Sequence, residues 1–189
     1  GATLRDVIKR GPLPVARAVS IAKQIAAALS ATHAVGIVHR DVKPRNVMLI
    51  EGGREVVKLI DFGLAKLSVK EVSDVAASRA SMTDHLITGT GAIFGTIAYL
   101  APEATLGMDA VDARADLYAL GLVMYEMIAG KHPFDTSDPV GLFKHHAKTP
   151  PPPIAERSPG VFVQPAVEAV IAKLLAKRRD DRYASADEV

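Results

Sequence analysis

Apolar residues recur every three to four positions between about 14 and 34, at Val15, Val19, Ala22, Ile25, Ala26 and Leu29. That spacing predicts one long amphipathic helix, which Gly36 stops. A shorter helix is predicted over 3–9, closed by Gly11 and Pro12. The pattern then changes: Ile37 and Val38 lead into a polar run, and Val47, Met48, Leu49 and Ile50 lead out of it. This reads as a tight polar loop between two short strands, and "GGRE" turns the chain into a third strand over 56–60. From 63 to about 94 no periodicity survives, and Ser, Thr and Ala dominate. A stretch of that length between ordered elements is usually functional. Helical spacing returns at 113–129, 139–147 and 165–176, with the prolines at 150–153 as an extended spacer. There is no internal repeat. The expected class is α+β: mainly helical, with short β-strands around one polar loop.

The 189 residues are 49% hydrophobic and 23% charged, with a formal net charge of +2. Such a balance argues against a nucleic-acid binder or contact with a membrane surface. "KRRDDR" at 177–182 is no exception, because Asp180 and Asp181 dilute its charge. Cysteine is absent, which fits a cytoplasmic segment, and no run of eighteen apolar residues occurs. Any membrane anchor is expected outside this chain. The chain starts without Met, and its last residues set a capping-box pair, Ser185 and Glu188, ahead of almost nothing. Both ends therefore read as cut from a longer protein.

The polar loop, HRDVKPRN at 39–46, brings a carboxylate, an amine, two guanidiniums and an amide together. Chemistry concentrates on loops that rigid elements position. Two further signals follow in order, DFG at 61–63 and APE at 101–103. Together the three resemble the eukaryotic-like serine/threonine protein kinases, particularly the bacterial branch. The resemblance runs through the whole chain and implies the C-terminal lobe of a protein-kinase-like fold. It implies ATP as cofactor, with Mg²⁺ or Mn²⁺, and protein substrates.

Phosphoryl transfer needs a group that orients the acceptor hydroxyl and takes its proton, which the resemblance assigns to Asp41. Lys43 would place a cation beside the transferred phosphate. Asn46 and Asp61 would supply metal oxygens, since hard cations prefer oxygen ligands. Met48 matches the floor under the adenine ring, and His39 and Phe62, beside Gly63, match an apolar column under the catalytic loop. Lys43 and Thr96, in "GTIAYLAPE", match residues that accompany serine/threonine specificity. Glu103 is expected to pair with Arg182, and Asp116, in "DLYALG" with Gly121, to brace the catalytic loop. Arg40, just before Asp41, marks kinases switched on by an activation-segment phosphate, which a guanidinium binds bidentately. Thr88 and Thr90, eight and six residues before Thr96, are the candidate acceptors, with Ser81 and Thr83 behind them. Arg45 stands where basic-directed relatives carry glutamate, so arginine before the acceptor should not be preferred.

"GTGAIFG" at 89–95 lies after DFG with no strand and lysine following, so it is no phosphate-binding glycine loop. Lys23 lies only sixteen residues before His39, too close for the phosphate-anchoring lysine. His145 and His146 are adjacent and cannot share a helix face, which speaks against a metal site. The glycine-rich loop and anchoring lysine therefore belong to an N-terminal lobe outside this chain, and the chain alone is expected to be inactive. The expected activity of the full-length protein is that of a non-specific serine/threonine protein kinase in signal transduction. Two other classes fit less well. A pseudokinase or scaffold lobe would not need Asp41, Lys43, Asn46 and Asp61 together, and small-molecule phosphotransferases usually lack the activation segment and APE.

Overall fold

The stretch ARADLYALGLVMYEMIA is apolar on every side, so a helix made from it must be surrounded by the rest of the chain. The computed structural model describes residues 1–50, 52–53, 55–62, 95, 97–107, 110–134 and 139–189. Its elements run β1 (Ala2–Thr3), α1 (Leu4–Ile8), α2 (Val15–His33), β2 (Val47–Ile50), β3 (Val56–Leu59), α3 (Ala113–Ala129), α4 (Pro139–Lys148), α5 (Ile154–Arg157) and α6 (Pro165–Leu174), with short 3₁₀ turns between. The strands form one antiparallel sheet in the order β1-β2-β3, pairing Thr3 with Met48 and Met48 with Lys58.

Helix α3 is that apolar stretch, and fourteen of its residues are buried, among them Leu117, Leu120, Leu122, Met127 and Ile128. Both its ends were written locally. The Asp112 carboxylate accepts from the Arg114 N–H, and Gly130 takes the left-handed φ of 71° that releases the chain. Helix α2 lays Ile21, Ile25 and Leu29 against one side of α3, and α6 packs against another. Gly121 lets α6 approach, because a Cβ there would stand 2.8 Å from the Leu174 Cβ.

Two expectations fail. Ile37 and Val38 form no strand, and Ile37 is 50% exposed. Among the described residues no strand runs beside their backbone. Ile37 N–H closes onto the Thr32 carbonyl, and the amides of His39 and Arg40 turn to a side chain on α3. Strand β1 was not expected; two residues carry no period to read. Smaller differences lie at the ends: β3 stops at Leu59, α4 runs on to Lys148 and α6 ends at Leu174. The Ser185 side chain makes no cap bond, and the Glu188 carboxylate accepts instead from the Ala184 N–H.

A cluster of buried imidazoles gives the core its pH sensitivity. His132 donates through Nε2 to the Ala98 carbonyl at 2.8 Å, while Nδ1 accepts from Phe134 N–H at 3.2 Å. His146 sits 3.0 Å from the Tyr118 hydroxyl through Nδ1, and Lys177 donates to that hydroxyl at 3.3 Å. Burial lowers His132 from 6.5 to about 4, the backbone contacts at Phe134 and Ala98 and the Arg157 charge being smaller influences. Burial lowers His146 to about 3, helped by the charges of His132 and Lys177. Because the folded rings resist protonation, the unfolded chain binds more protons below pH 6.5, and stability falls as pH falls. The contribution is complete above the unfolded value of 6.5 and disappears on the way down to about 4 and about 3. At about 1.36 kcal/mol per unit, His132 alone accounts for about 3 kcal/mol. Urea titrations of the protein at pH 7 and pH 5 should show the midpoint dropping, and His132→Phe should flatten that dependence.

Candidate active site

The 3₁₀ turn Pro44–Asn46 joins the polar loop to β2 and buries Pro44 and Asn46. Asn46 is almost fully buried, and its amide nitrogen donates to both the backbone carbonyl and Oδ2 of Asp41, at 2.9 and 2.8 Å. Lys43 Nζ reaches the same Oδ2 at 2.7 Å. One carboxylate oxygen of Asp41 is thus held by an amine and an amide. Oδ1 has no partner among the described residues and remains to accept a proton. Arg45 lies exposed on the turn, and Met48 is half-buried on β2.

The loop is anchored from below. Asp116, on the first turn of α3, accepts from His39 N–H and Arg40 N–H, both at 2.8 Å, one on each carboxylate oxygen. Arg40 takes a left-handed φ of 63°, uncommon for a residue with a Cβ, and these paired amides hold it there. A third donor joins them: His33 Nε2, at the last turn of α2, lies 2.8 Å from Asp116 Oδ2. The sequence reading did not select His33, since 83 residues separate it from Asp116. Its only local mark is a polar ring ending an apolar helix. Asn in place of Asp116 would set a donor against donors. Asp116→Asn should therefore cost ~1–3 kcal/mol in urea denaturation, the range for a buried group left unsatisfied, and lower turnover with it.

His39 is buried with its ring 4.5 Å from that of Phe62, and its Nδ1 accepts from Asp41 N–H at 3.3 Å. Asp61, beside Phe62, is exposed and also left-handed, with φ 58°. On the far side of the loop, Tyr99, Leu100 and Ala101 line a small cavity together with Arg40, Asp41 and Asp116. Tyr99 donates its hydroxyl to the Glu126 carboxylate on α3. Burial raises Glu126 above the usual carboxylate range, and burial with the Glu126 charge raises Tyr99 as well. This pair too was not expected from sequence.

Glu103 and Arg182 meet as a buried bidentate pair, both contacts 2.7 Å. The rest of the guanidinium is used on carbonyls: Nε donates to Ala176, and the two terminal nitrogens also reach Arg114 and Lys177. Gly63, Ser81, Thr83, Thr88, Thr90 and Thr96 lie outside the described residues.

The family model for the protein kinase domain matches residues 1–189. The chain belongs to the protein kinase domain family. Serine/threonine-protein kinase PknB of Mycobacterium leprae is 39% identical over the whole of this kinase chain, which spans 28% of that relative. Serine/threonine-protein kinase Pkn1 of Myxococcus xanthus is 42% identical over 92% of this chain, covering 23% of the relative. The kinase chain therefore spans under a third of the curated relatives it matches. Among solved structures, the Mycobacterium tuberculosis PknI kinase domain superposes with a TM-score of 0.68 at 29% identity, covering all of this chain and 59% of that one. The Rad53 kinase domain, solved with AMPPNP, matches with a TM-score of 0.70 at 23% identity and speaks for the fold alone. The α+β kinase fold expected from the motifs is the fold of this chain.

Proposed function

We propose that the full-length protein transfers the terminal phosphoryl group of ATP to serine and threonine hydroxyls of other proteins, in signal transduction. The observation that carries this is the Asp41 carboxylate, fixed at Oδ2 by Lys43 and Asn46 and, among the described residues, without a partner at Oδ1. In this reading Oδ1 accepts the hydroxyl proton, and Lys43, pinned beside it, sets positive charge where the phosphate would lie. Lys43 and the 36–42% identity to serine/threonine-protein kinases support the choice of hydroxyl.

The donor set fits the implied cofactor. Asn46 spends its nitrogen on Asp41, which leaves its amide oxygen, and Asp61 is an exposed carboxylate; both are oxygen donors of the kind Mg²⁺ or Mn²⁺ takes. Among the described residues no cluster of three His, Cys, Asp or Glu could cage a metal alone, which suits an ion shared with substrate phosphates. Asn46 and Asp61 would hold the ion, with Met48 beneath the adenine. When bound, ATP supplies the transferable group and the cation offsets its charge.

We further read the chain as the C-terminal lobe of the catalytic domain, its nucleotide cleft completed by an N-terminal lobe of the same protein. Coverage of 59% of the PknI kinase-domain chain supports this. Arg40 is exposed and would bind a phosphate on Thr88 or Thr90. Thr96 and Arg45 would face the substrate. No helix among the described residues is long and apolar enough to cross a membrane. The test is radiolabelled phosphate transfer by the full-length protein to a generic protein substrate, followed by phosphoamino-acid analysis. Phosphoserine and phosphothreonine are expected; no transfer, or phosphotyrosine alone, would overturn the reading.

A further inference from the structure

The turn at 97–101 stands against the catalytic loop, since Tyr99, Leu100 and Ala101 line one cavity with Arg40, Asp41 and Val42. Its Ala98 is buried, and the bond that ties the Ala98 carbonyl to the lobe comes from His132 on the loop after α3. His132 is well suited to the task. Its Nε2 meets the Ala98 carbonyl, which can only accept, so the proton belongs on Nε2, and Nδ1, between the Phe134 N–H at 3.2 Å and carbonyl at 3.1 Å, is left to accept from the N–H. Its ring is boxed by Tyr99 at 5.6 Å, Phe134 at 5.9 Å and His146 at 5.9 Å, so it has little freedom to swing.

Behind His132 stands a second layer drawn from three elements. The Tyr118 hydroxyl on α3 accepts from Lys177 and donates to His146 on α4, and Lys177 also holds the His145 carbonyl. That order puts the His146 proton on Nε2, which is buried and has no hydrogen-bond partner among the described residues. The His146 ring stands edge-on to that of His132, with centroids 5.9 Å apart, so a ring from α4 backs the ring that holds Ala98.

We propose that His132 is a positioning residue for the protein substrate: by holding the Ala98 carbonyl, with His146 as buttress, it sets the shape of the 97–101 turn that walls the cavity beside Asp41, and through that wall the seating of the acceptor peptide. It touches neither ATP nor the acceptor. This rests on the kinase reading above. The role belongs to peptide affinity, and nucleotide affinity is left alone, because nothing in the His132 surroundings leads to Asn46, Met48 or Asp61.

The experiment compares full-length wild-type protein with His132→Phe and His132→Leu, which remove the donor with different bulk, and His132→Gln, which can return an N–H toward Ala98. Hydrogen–deuterium exchange over 95–103 is read without any need for activity. Protection there should fall in whichever of the Phe and Leu variants folds, and return in Gln. Kinetics with a peptide substrate should show KM for the peptide rising about ten-fold in the donorless variants, the scale of one buried hydrogen bond. KM for ATP should stay within about two-fold, and Gln should recover most of the peptide affinity. Unchanged exchange over 95–103, or equal rises in both KM values, would overturn the proposal. Variant-dependent exchange in a wild type that phosphorylates nothing would leave the holding of Ala98 standing and sink the kinase reading and the peptide role with it.

Discussion

Asp41→Asn in the full-length protein should lower kcat by about 10²–10⁴-fold while leaving the circular dichroism spectrum and thermal midpoint near those of wild type. The amide keeps the shape of the side chain, and its oxygen can still take the Lys43 and Asn46 contacts that now fix Oδ2. What disappears is the acceptor at Oδ1. The loss should therefore fall on turnover, with KM for ATP little changed, because Asp41 is no part of the oxygen set assigned to the cation. A variant within three-fold of wild-type turnover would remove Asp41 from the role of base. Lys43→Ala makes a useful companion. It leaves Oδ2 to the Asn46 amide alone and removes a cation, so both turnover and the position of the carboxylate should suffer.

Breaking the Glu103–Arg182 pair from one side should cost about 3–5 kcal/mol in urea denaturation, since one charge is left buried without its partner. Arg182 shows why its removal is the more damaging half. A guanidinium has five N–H donors, and here the five bonds to Glu103, Ala176, Arg114 and Lys177 account for all of them. Arg182→Met would strand the carboxylate and three backbone carbonyls. Glu103→Gln, which keeps a hydrogen-bonding oxygen, should be milder. The double variant should be less damaging than the sum of the singles, because the pair acts as a unit. Additive losses would show that the two residues contribute separately.

What the sequence disclosed follows from how local each signal is. The bounds of α3 were readable because both caps, Asp112 and Gly130, are side-chain or backbone choices made within a residue of the helix ends. The gathering of Asp41, Lys43 and Asn46 was readable for the same reason, since six residues hold all three. Ile37 and Val38 misled, because strand-forming side chains make a strand only where a second strand runs alongside. Their amide neighbours were taken by Asp116 instead. His33, Tyr99 with Glu126, and the His132–His146 cluster were invisible for a different reason. Each depends on a partner 14 to 83 residues away, brought near by packing that no local period encodes. His145 and His146 both lie against Phe134, at 5.4 Å each, the first stacked on its ring and the second edge-on and bonded to Tyr118.

The distance along the chain between Glu103 and Arg182 also sets an order of events at birth. The two are 79 residues apart, so on a ribosome adding 5–20 residues per second the arginine emerges roughly 4–16 s after the glutamate. During that interval the carboxylate near the substrate turn has no guanidinium, and the buried seat it will occupy is unfavourable for it. The segment around 103 must wait in a hydrated, unlatched state while α3, α4 and α6 are still being made. A nascent chain stalled before residue 182 should thus be open to protease around residue 103, and should become resistant once the arginine clears the exit tunnel.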